Sequence, residues 1–234
     1  MPLPRPIDVA TSWAASVLRL GAGLSATHAS VTPEAPLILY EFEACPYCRK
    51  VREALTMLDL GAMIRPCPRG GPRYRPEVIA RGGQAMYPYL VDPNTGDALY
   101  ESADIIEHLY RHYGNRPAPL WLRSDLTVPT GSLASLLRAP RGLHYRPARA
   151  PEQPLTLYSM EASPYCRLVR EALCELELPY HLVNVGRGSH ERPAFSARSG
   201  QMMVPWLHDP NTGQEMFESA QIVRYLRSTY ALER

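Results

Sequence analysis

The chain contains two copies of one sequence unit, and this repeat constrains the fold more than any other feature. Residues 35–55 and 153–173 are identical at 15 of 21 positions without a gap, and residues 87–110 and 204–227 at 12 of 24. The offset between the copies is 118 residues in the first block and 117 in the second. A duplicated unit of this size predicts two tandem domains of the same fold.

Each copy predicts the element order β-α-β-α-β-β-α. In the first copy, "LILYEF" at 37–42 is an apolar, β-rich run, and the helix after Pro46 carries apolar residues at helical spacing. A second strand, a short helix and a hairpin around "DPNTG" follow, and we expect Ser102 to cap the last helix. The predicted divisions are a leader helix and loop at 1–35, domains at 36–114 and 154–231, and a proline-rich linker with one helix at 115–153.

Charge, apolar runs and cysteine usage limit the functional classes. The net charge of +2 gives no basis for a nucleic acid partner, and no apolar run approaches the about 18 residues that span a bilayer. Five cysteines with one CxxC pair do not resemble a secreted disulfide framework, which favours a reducing, cytoplasmic location. Cys67 and Cys174 are expected to be structural. The seven histidines form no ligand-like cluster, so no metal site is predicted.

The CxxC pair, Cys45 and Cys48, begins the helix that follows the first strand. A cysteine at this place faces unpaired backbone N–H groups and the positive end of the helix dipole, both of which favour the reactive thiolate. Cys48 lies one helical turn further on, within reach of a mixed disulfide on Cys45. This arrangement favours redox chemistry, with two buried structural thiols as the alternative.

Three motifs together resemble a known family. "CPYC" after a strand, "YP" before a hairpin and "ES" at the start of the last helix are similar to the glutaredoxins and to the thioredoxin-like N-terminal domain of glutathione transferases. The resemblance covers residues 36–114 and 154–231, and we expect neither stretch to be followed by the all-helical domain of a full glutathione transferase. It implies an α/β fold with two tandem thioredoxin-like domains, each preceded by a short helix.

The same resemblance implies a glutathione site in each copy, with glutathione as co-substrate. Pro88 matches a cis-proline whose preceding residue, Tyr87, pairs its backbone with the cysteinyl part of glutathione. Glu101 and Ser102 match a pair that holds the γ-glutamyl end at a helix N-terminus. The expected glutathione-binding residues are Tyr47, Tyr87, Pro88, Glu101 and Ser102 in the first copy, and Ser163, Val204, Pro205, Glu218 and Ser219 in the second.

Three functions fit these residues. The first is a glutathione-dependent thiol–disulfide oxidoreductase, with Cys45 and Cys48 acting on disulfide or glutathionylated proteins. The second is conjugation of glutathione through Ser163, because theta- and delta-class transferases carry a serine at the matching position. The third is a non-catalytic glutathione-binding or interaction module, including one that holds an iron–sulfur cluster.

The duplication also predicts how the domains assemble. A two-fold pair uses the same surface on both members, and here one chain supplies both. We therefore expect an intramolecular pseudo-dimer in a monomeric chain. The leader helices, around Val17-Leu18 and Leu136-Leu137, are too short to be stable alone and should pack at the domain junction.

Overall fold

Two α/β units with the same element order make up residues 5–17, 23–27, 31–123 and 141–232, the part of the chain that the computed structural model describes. This order matches the one predicted from the sequence. The first unit comprises α1 (Arg5–Val17), β1 (Ile38–Glu41), α2 (Pro46–Met57), β2 (Ala62–Pro66), α3 (Tyr74–Gly82), β3 (Tyr89–Asp92), β4 (Asp97–Leu99), α4 (Ser102–Leu109), a π-helical turn (Tyr110–Gly114) and α5 (Leu120–Arg123). The second comprises β5 (Leu155–Ser159), α6 (Pro164–Glu175), β6 (Tyr180–Asn184), α7 (Glu191–Ser199), β7 (Trp206–Asp209), β8 (Gln214–Met216) and α8 (Ser219–Tyr230).

All eight strands belong to one continuous sheet with the order β4-β3-β1-β2-β6-β5-β7-β8. Within each unit the first two strands are parallel and the hairpin strands are antiparallel to their neighbours. The units join through an antiparallel pair, β2 with β6, in which Ala62 lies opposite Leu182 and Ile64 opposite Tyr180. The predicted pseudo-dimer within one chain is therefore confirmed, and its axis passes between β2 and β6.

The segment that precedes each unit crosses over to the other one. Ser25 pairs in parallel with Arg187 of the second unit, and His144 pairs in the same way with Arg69 of the first. Helix α1 packs on α6, where the Ser12 hydroxyl donates to the backbone oxygen of Pro164 over 2.7 Å. Helix α1 thus lies on the partner unit. The leader positions Leu18, Leu136 and Leu137 lie outside the described residues.

Four charged side chains form a buried cluster at the junction: Glu43 and Arg52 from the first unit, and Glu161 and Arg170 from the second. Each arginine contacts both glutamates, at N–O distances of 2.9 to 3.2 Å. Glu41 makes a further ion pair with Arg52. All four members of the cluster are at most 7% exposed. Since a buried charge that loses its partner is strongly destabilising, separating the two units while these side chains stay buried would be costly.

Two details differ from the sequence-based expectations. Ser102 is the first residue of α4 and not its cap, because Glu101 takes the cap position with φ 60° and ψ 118°. The described parts of the predicted linker are packed on the domains: Arg123 of α5 forms an ion pair with Glu107 of α4 at 2.9 Å, and the Arg146 amide donates to the Glu175 carbonyl.

Candidate active site

Cys45 occupies the N-cap of α2, immediately after the strand β1 and its turn. Its Sγ accepts a hydrogen bond from the backbone N–H of Cys48 at 3.3 Å, as an N-cap side chain does. Pro46 follows at the first helical position, where its missing N–H has no intrahelical partner to lose. Cys45 is 4% exposed and Cys48 is fully buried, so Cys45 is the more accessible of the two thiols.

The pKa values of the two thiols are shifted in opposite directions. A hydrogen bond from the Cys48 side chain, helped by the backbone N–H groups of Cys48 and Tyr47, lowers the pKa of Cys45 against the effect of its own burial. Burial, together with the hydrogen bond to Cys45, raises the pKa of Cys48 well above its ordinary value. These opposite shifts favour the thiolate on Cys45 over a thiolate on Cys48.

Glu41, at the end of β1, is a buried acid beside this pair that the sequence analysis missed. Burial raises the pKa of its carboxyl to about 7, although Arg52 opposes this shift. The charge of Glu41 in turn raises the pKa of both Cys45 and Cys48. The equivalent residue in the second unit is Ser159. The sequence could have singled out Glu41, because it is a glutamate in an otherwise apolar strand and only the first copy has it.

The hairpin and the last helix place the other predicted site residues of the first unit. The peptide bond between Tyr87 and Pro88 is cis, and the Tyr87 carbonyl oxygen lies 4.0 Å from the Cys45 Sγ. Tyr47, in the first turn of α2, is 40% exposed. Glu101 is exposed, and no hydrogen bond in the described structure joins its side chain to the N–H groups of α4. Ser102 is buried beneath it.

The second unit repeats this geometry with an oxygen in place of the sulfur. Ser163 is the N-cap of α6, and its hydroxyl accepts from the Cys166 backbone N–H at 3.2 Å. The Val204–Pro205 bond is cis, and Glu218 caps α8 with φ 65° ahead of the buried Ser219. Positive φ at a glutamate is costly, by about 1–3 kcal/mol, and both units keep it.

The leader helix α1 approaches the second site from one side. Trp13 packs edge-on against Tyr165 with ring centroids 6.4 Å apart, and Arg167 donates to the Ser12 carbonyl at 3.0 Å. Both aromatic rings remain partly exposed. The surface next to Ser163 is therefore partly built by a segment that the sequence assigns to the first unit.

One group of side chains bears on the prediction that the protein has no metal site. The sequence analysis found no ligand-like group of histidines, but the structure brings Asp97, His108 and His112 together, with one ligand atom of each within 4.8 Å of the others.

All five cysteines are free thiols, and Cys67 and Cys174 are buried away from the helix N-termini. None of the helices in the described ranges is long and apolar enough to cross a membrane.

A cysteine or serine at a helix N-cap, on a four-stranded α/β unit that carries a cis-proline, defines a pair of thioredoxin-like domains. Residues 39–117 and 157–234 both match the family described as Glutathione S-transferase, N-terminal domain. These segments cover more than half of the chain. The protein therefore belongs to the glutathione S-transferase N-terminal domain family, with two copies of the domain in tandem.

The sequence matches to individual proteins each cover about a third of the chain. The chain is 35% identical over 78 residues to the glutathione S-transferase-like protein tpcF of Aspergillus fumigatus, which is 33% of this chain and 34% of that protein. It is 35% identical over 82 residues to the glutathione S-transferase GstB of Escherichia coli K12, 34% of this chain and 39% of GstB. The matches thus span little more than a third of each relative's length. The trimeric glutathione transferase TDR1 of Leishmania aligns with 86% of this chain and 68% of its own, at 14% identity and a TM-score of 0.30.

Proposed function

We propose that the protein is a glutathione-dependent thiol–disulfide oxidoreductase that acts through Cys45. The observation that carries this proposal is the place of Cys45 at the N-cap of α2, where its Sγ accepts the Cys48 backbone N–H at 3.3 Å. In this setting the pKa of Cys45 is lowered, mainly by the hydrogen bond from Cys48, and the pKa of Cys48 is raised, mainly by burial. The thiolate is the attacking form of cysteine, and it stands here at the more accessible position of the pair.

The reaction begins with a glutathionylated protein. The Cys45 thiolate attacks the glutathionyl sulfur, a Cys45–glutathione disulfide forms, and the protein thiolate leaves. A second glutathione, as thiolate, then attacks the glutathionyl sulfur on Cys45, which releases oxidised glutathione and regenerates the Cys45 thiolate. Cys48 can resolve the same intermediate by forming a Cys45–Cys48 disulfide and releasing glutathione. Burial raises the pKa of Cys48 and so disfavours its thiolate, which favours resolution by free glutathione.

Glutathione is the co-substrate that the groups around Cys45 fit. The Tyr87 backbone, 4.0 Å from the Cys45 Sγ, is placed to pair with an extended cysteinyl backbone. The side chain of Glu101 makes no capping hydrogen bond to the N-terminus of α4. This helix N-terminus therefore suits the γ-glutamyl carboxylate. The relatives named as glutathione transferases support the same ligand. We assign Tyr47, Pro88 and Ser102 to this site, and Ser163, Val204, Pro205, Glu218 and Ser219 to a second, structural glutathione site.

The experiment is the reduction of a glutathionylated protein by glutathione, with wild type and Cys45→Ser. We expect Cys45→Ser to lose the activity, Cys48→Ser to keep part of it, and Cys166→Ser, the matched change in the second unit, to keep all of it. Equal rates for wild type and Cys45→Ser would contradict the proposal. The expected substrates are disulfide or glutathionylated proteins. We expect the chain to be monomeric and to act in the cytoplasm.

Conjugation of glutathione through Ser163 is the second candidate. It is favoured by one observation, that the Ser163 hydroxyl holds the same N-cap position as the Cys45 sulfur. A hydroxyl there can donate to a bound glutathione thiolate. Conjugating activity that survives Cys45→Ser and falls in Ser163→Ala would establish it. Glutathione binding without either activity would instead identify a binding module.

A further inference from the structure

Two histidines and an aspartate meet at the outer edge of the first unit, away from the CPYC pair. Asp97 begins β4, the edge strand of the sheet; His108 lies in α4; and His112 lies in the π-helical turn that follows it. The two histidine rings have centroids 4.4 Å apart, and the His108 Nδ1 lies 3.7 Å from a carboxylate oxygen of Asp97. The sequence signal was the i, i+4 spacing of the two histidines on one helix.

A buried carboxylate orients His108. The Nε2 of His108 lies 2.8 Å from Oδ2 of Asp92, which is fully buried and also accepts from the Tyr113 hydroxyl at 2.7 Å. With Nε2–H donated to Asp92, the Nδ1 lone pair of His108 points towards Asp97. A ligating histidine in a metal site is held by a carboxylate in this same way.

The second unit has different residues at the positions that match Asp97, His108 and His112. Asp209 matches Asp92 and accepts from Tyr225 and Tyr230 at 2.6 and 2.5 Å, so a tyrosine fulfils there the hydrogen-bonding role of His108. The residues equivalent to Asp97 and His112 are Gln214 and Thr229. Hydrogen bonding to the buried aspartate therefore does not account for Asp97 and His112 in the first unit. The backbone differs as well, because α8 is α-helical through Tyr230 where the first unit has its π-helical turn.

We propose that Asp97, His108 and His112 bind a divalent transition-metal ion of the Zn²⁺ class. Two imidazoles and one carboxylate form a common three-ligand set for zinc, with water as the fourth ligand. Metal–ligand bonds of about 2.0–2.2 Å place tetrahedral ligand atoms about 3.3 Å apart, so the present group needs only a small closure. The Asp97 side chain, 51% exposed, is free to move inward, whereas His108 is 7% exposed and already fixed. The ion would connect the edge strand β4 to the end of α4.

The test is equilibrium dialysis of the full chain against Zn²⁺, in a Cys45→Ser, Cys48→Ser background because a CxxC pair can itself bind zinc. We expect one Zn²⁺ per chain and no competition from Mg²⁺, which prefers oxygen ligands. His112→Thr and Asp97→Gln should each lower the Zn²⁺ affinity at least tenfold. Both introduce the residue that the second unit already carries, and far-ultraviolet circular dichroism checks that the variants fold.

Thr229→Ala is the matched control and should leave zinc binding unchanged. Zn²⁺ should also raise the melting temperature of the background chain but not that of His112→Thr. Absence of bound Zn²⁺, or an equal affinity in the background chain and His112→Thr, would overturn the proposal. In that case the contacts of His108 with Asp92 and Asp97 would account for the cluster without a metal ion.

Discussion

At the scale of single residues, the side chains at the N-caps of α2 and α6 differ by one atom. The Cys45 sulfur and the Ser163 oxygen accept the same backbone hydrogen bond, at 3.3 and 3.2 Å. The sequence predicted that Cys45 lies at the start of the helix, because a cysteine after a strand and before a proline has few other placements; its redox role stays a prediction. It did not reveal Glu41, whose charge raises the pKa of both thiols and whose own pKa is raised by burial.

The split acidity of the thiol pair predicts how Cys45 reacts with iodoacetamide. The alkylation rate of the reduced protein should show a midpoint below about 8.5, the ordinary cysteine value, and only Cys45 should be modified. Cys48→Ala should raise this midpoint, because it removes the thiol that donates to the Cys45 sulfur. Cys166→Ala serves as the control and should not move it. Mass spectrometry of the labelled peptides identifies the site, and a midpoint unchanged in Cys48→Ala would refute the assignment.

At the scale of elements, periodicity and turn residues predicted the strands and helices of both units within a few positions. The exceptions depend on contacts that local sequence does not encode. Helix α1 was expected at the domain junction, but nothing in its own residues shows that it packs on α6 of the other unit. The cap of α4 was shifted by one residue because Glu101 adopts a positive φ that propensity does not favour.

The packing of α1 on α6 predicts a difference between two neighbouring substitutions. Ser12→Ala removes a buried hydrogen bond to the Pro164 carbonyl and should destabilise the protein by about 1 kcal/mol. Thr11→Ala removes an exposed hydroxyl that bonds within α1, to the Ile7 carbonyl, and should change stability by less than about 0.5 kcal/mol. Urea unfolding of the three proteins measures both values. Equal effects would mean that α1 does not hold to α6 in solution.

At the scale of the whole molecule, the junction is encoded in the repeat itself. The glutamate that opens "EACPYCRKVRE" and "EASPYCRLVRE", and the second arginine of each, are the four residues of the buried cluster. Sequence analysis predicted the pairing of the domains but not this role. Charged residues at helical spacing ordinarily indicate a solvated face, and only the partner unit converts that face into an interface.

The cluster predicts a pH-dependent contribution of Glu161 to stability. Burial alone would raise the pKa of Glu161, but Arg170, Arg52 and their neighbours lower it to about 2. A folded-state pKa below the ordinary value of 4.5 means that its contribution is present above pH 4.5 and is lost as the pH falls towards 2. Glu161→Gln should therefore cost about 3–5 kcal/mol at pH 7, and less as the pH falls.

Denaturant unfolding of wild type and Glu161→Gln at several pH values measures this difference. Glu215→Gln, which removes one partner of an exposed ion pair with Arg198, is the control and should cost at most about 1 kcal/mol at any of them. A Glu161→Gln effect as small as that of the control at pH 7 would be incompatible with a buried cluster at the junction.

The central claim is that Cys45 alone receives glutathione in the redox reaction, and trapping the intermediate tests it most directly. The Cys48→Ser chain is treated with oxidised glutathione, excess reagent is removed, and intact-mass and peptide mass spectrometry locate the adduct. The account predicts one glutathionyl group per chain, attached to Cys45 and released by added glutathione. An adduct on Cys67, Cys166 or Cys174 with Cys45 unmodified, or a chain that takes up no glutathione, would contradict it.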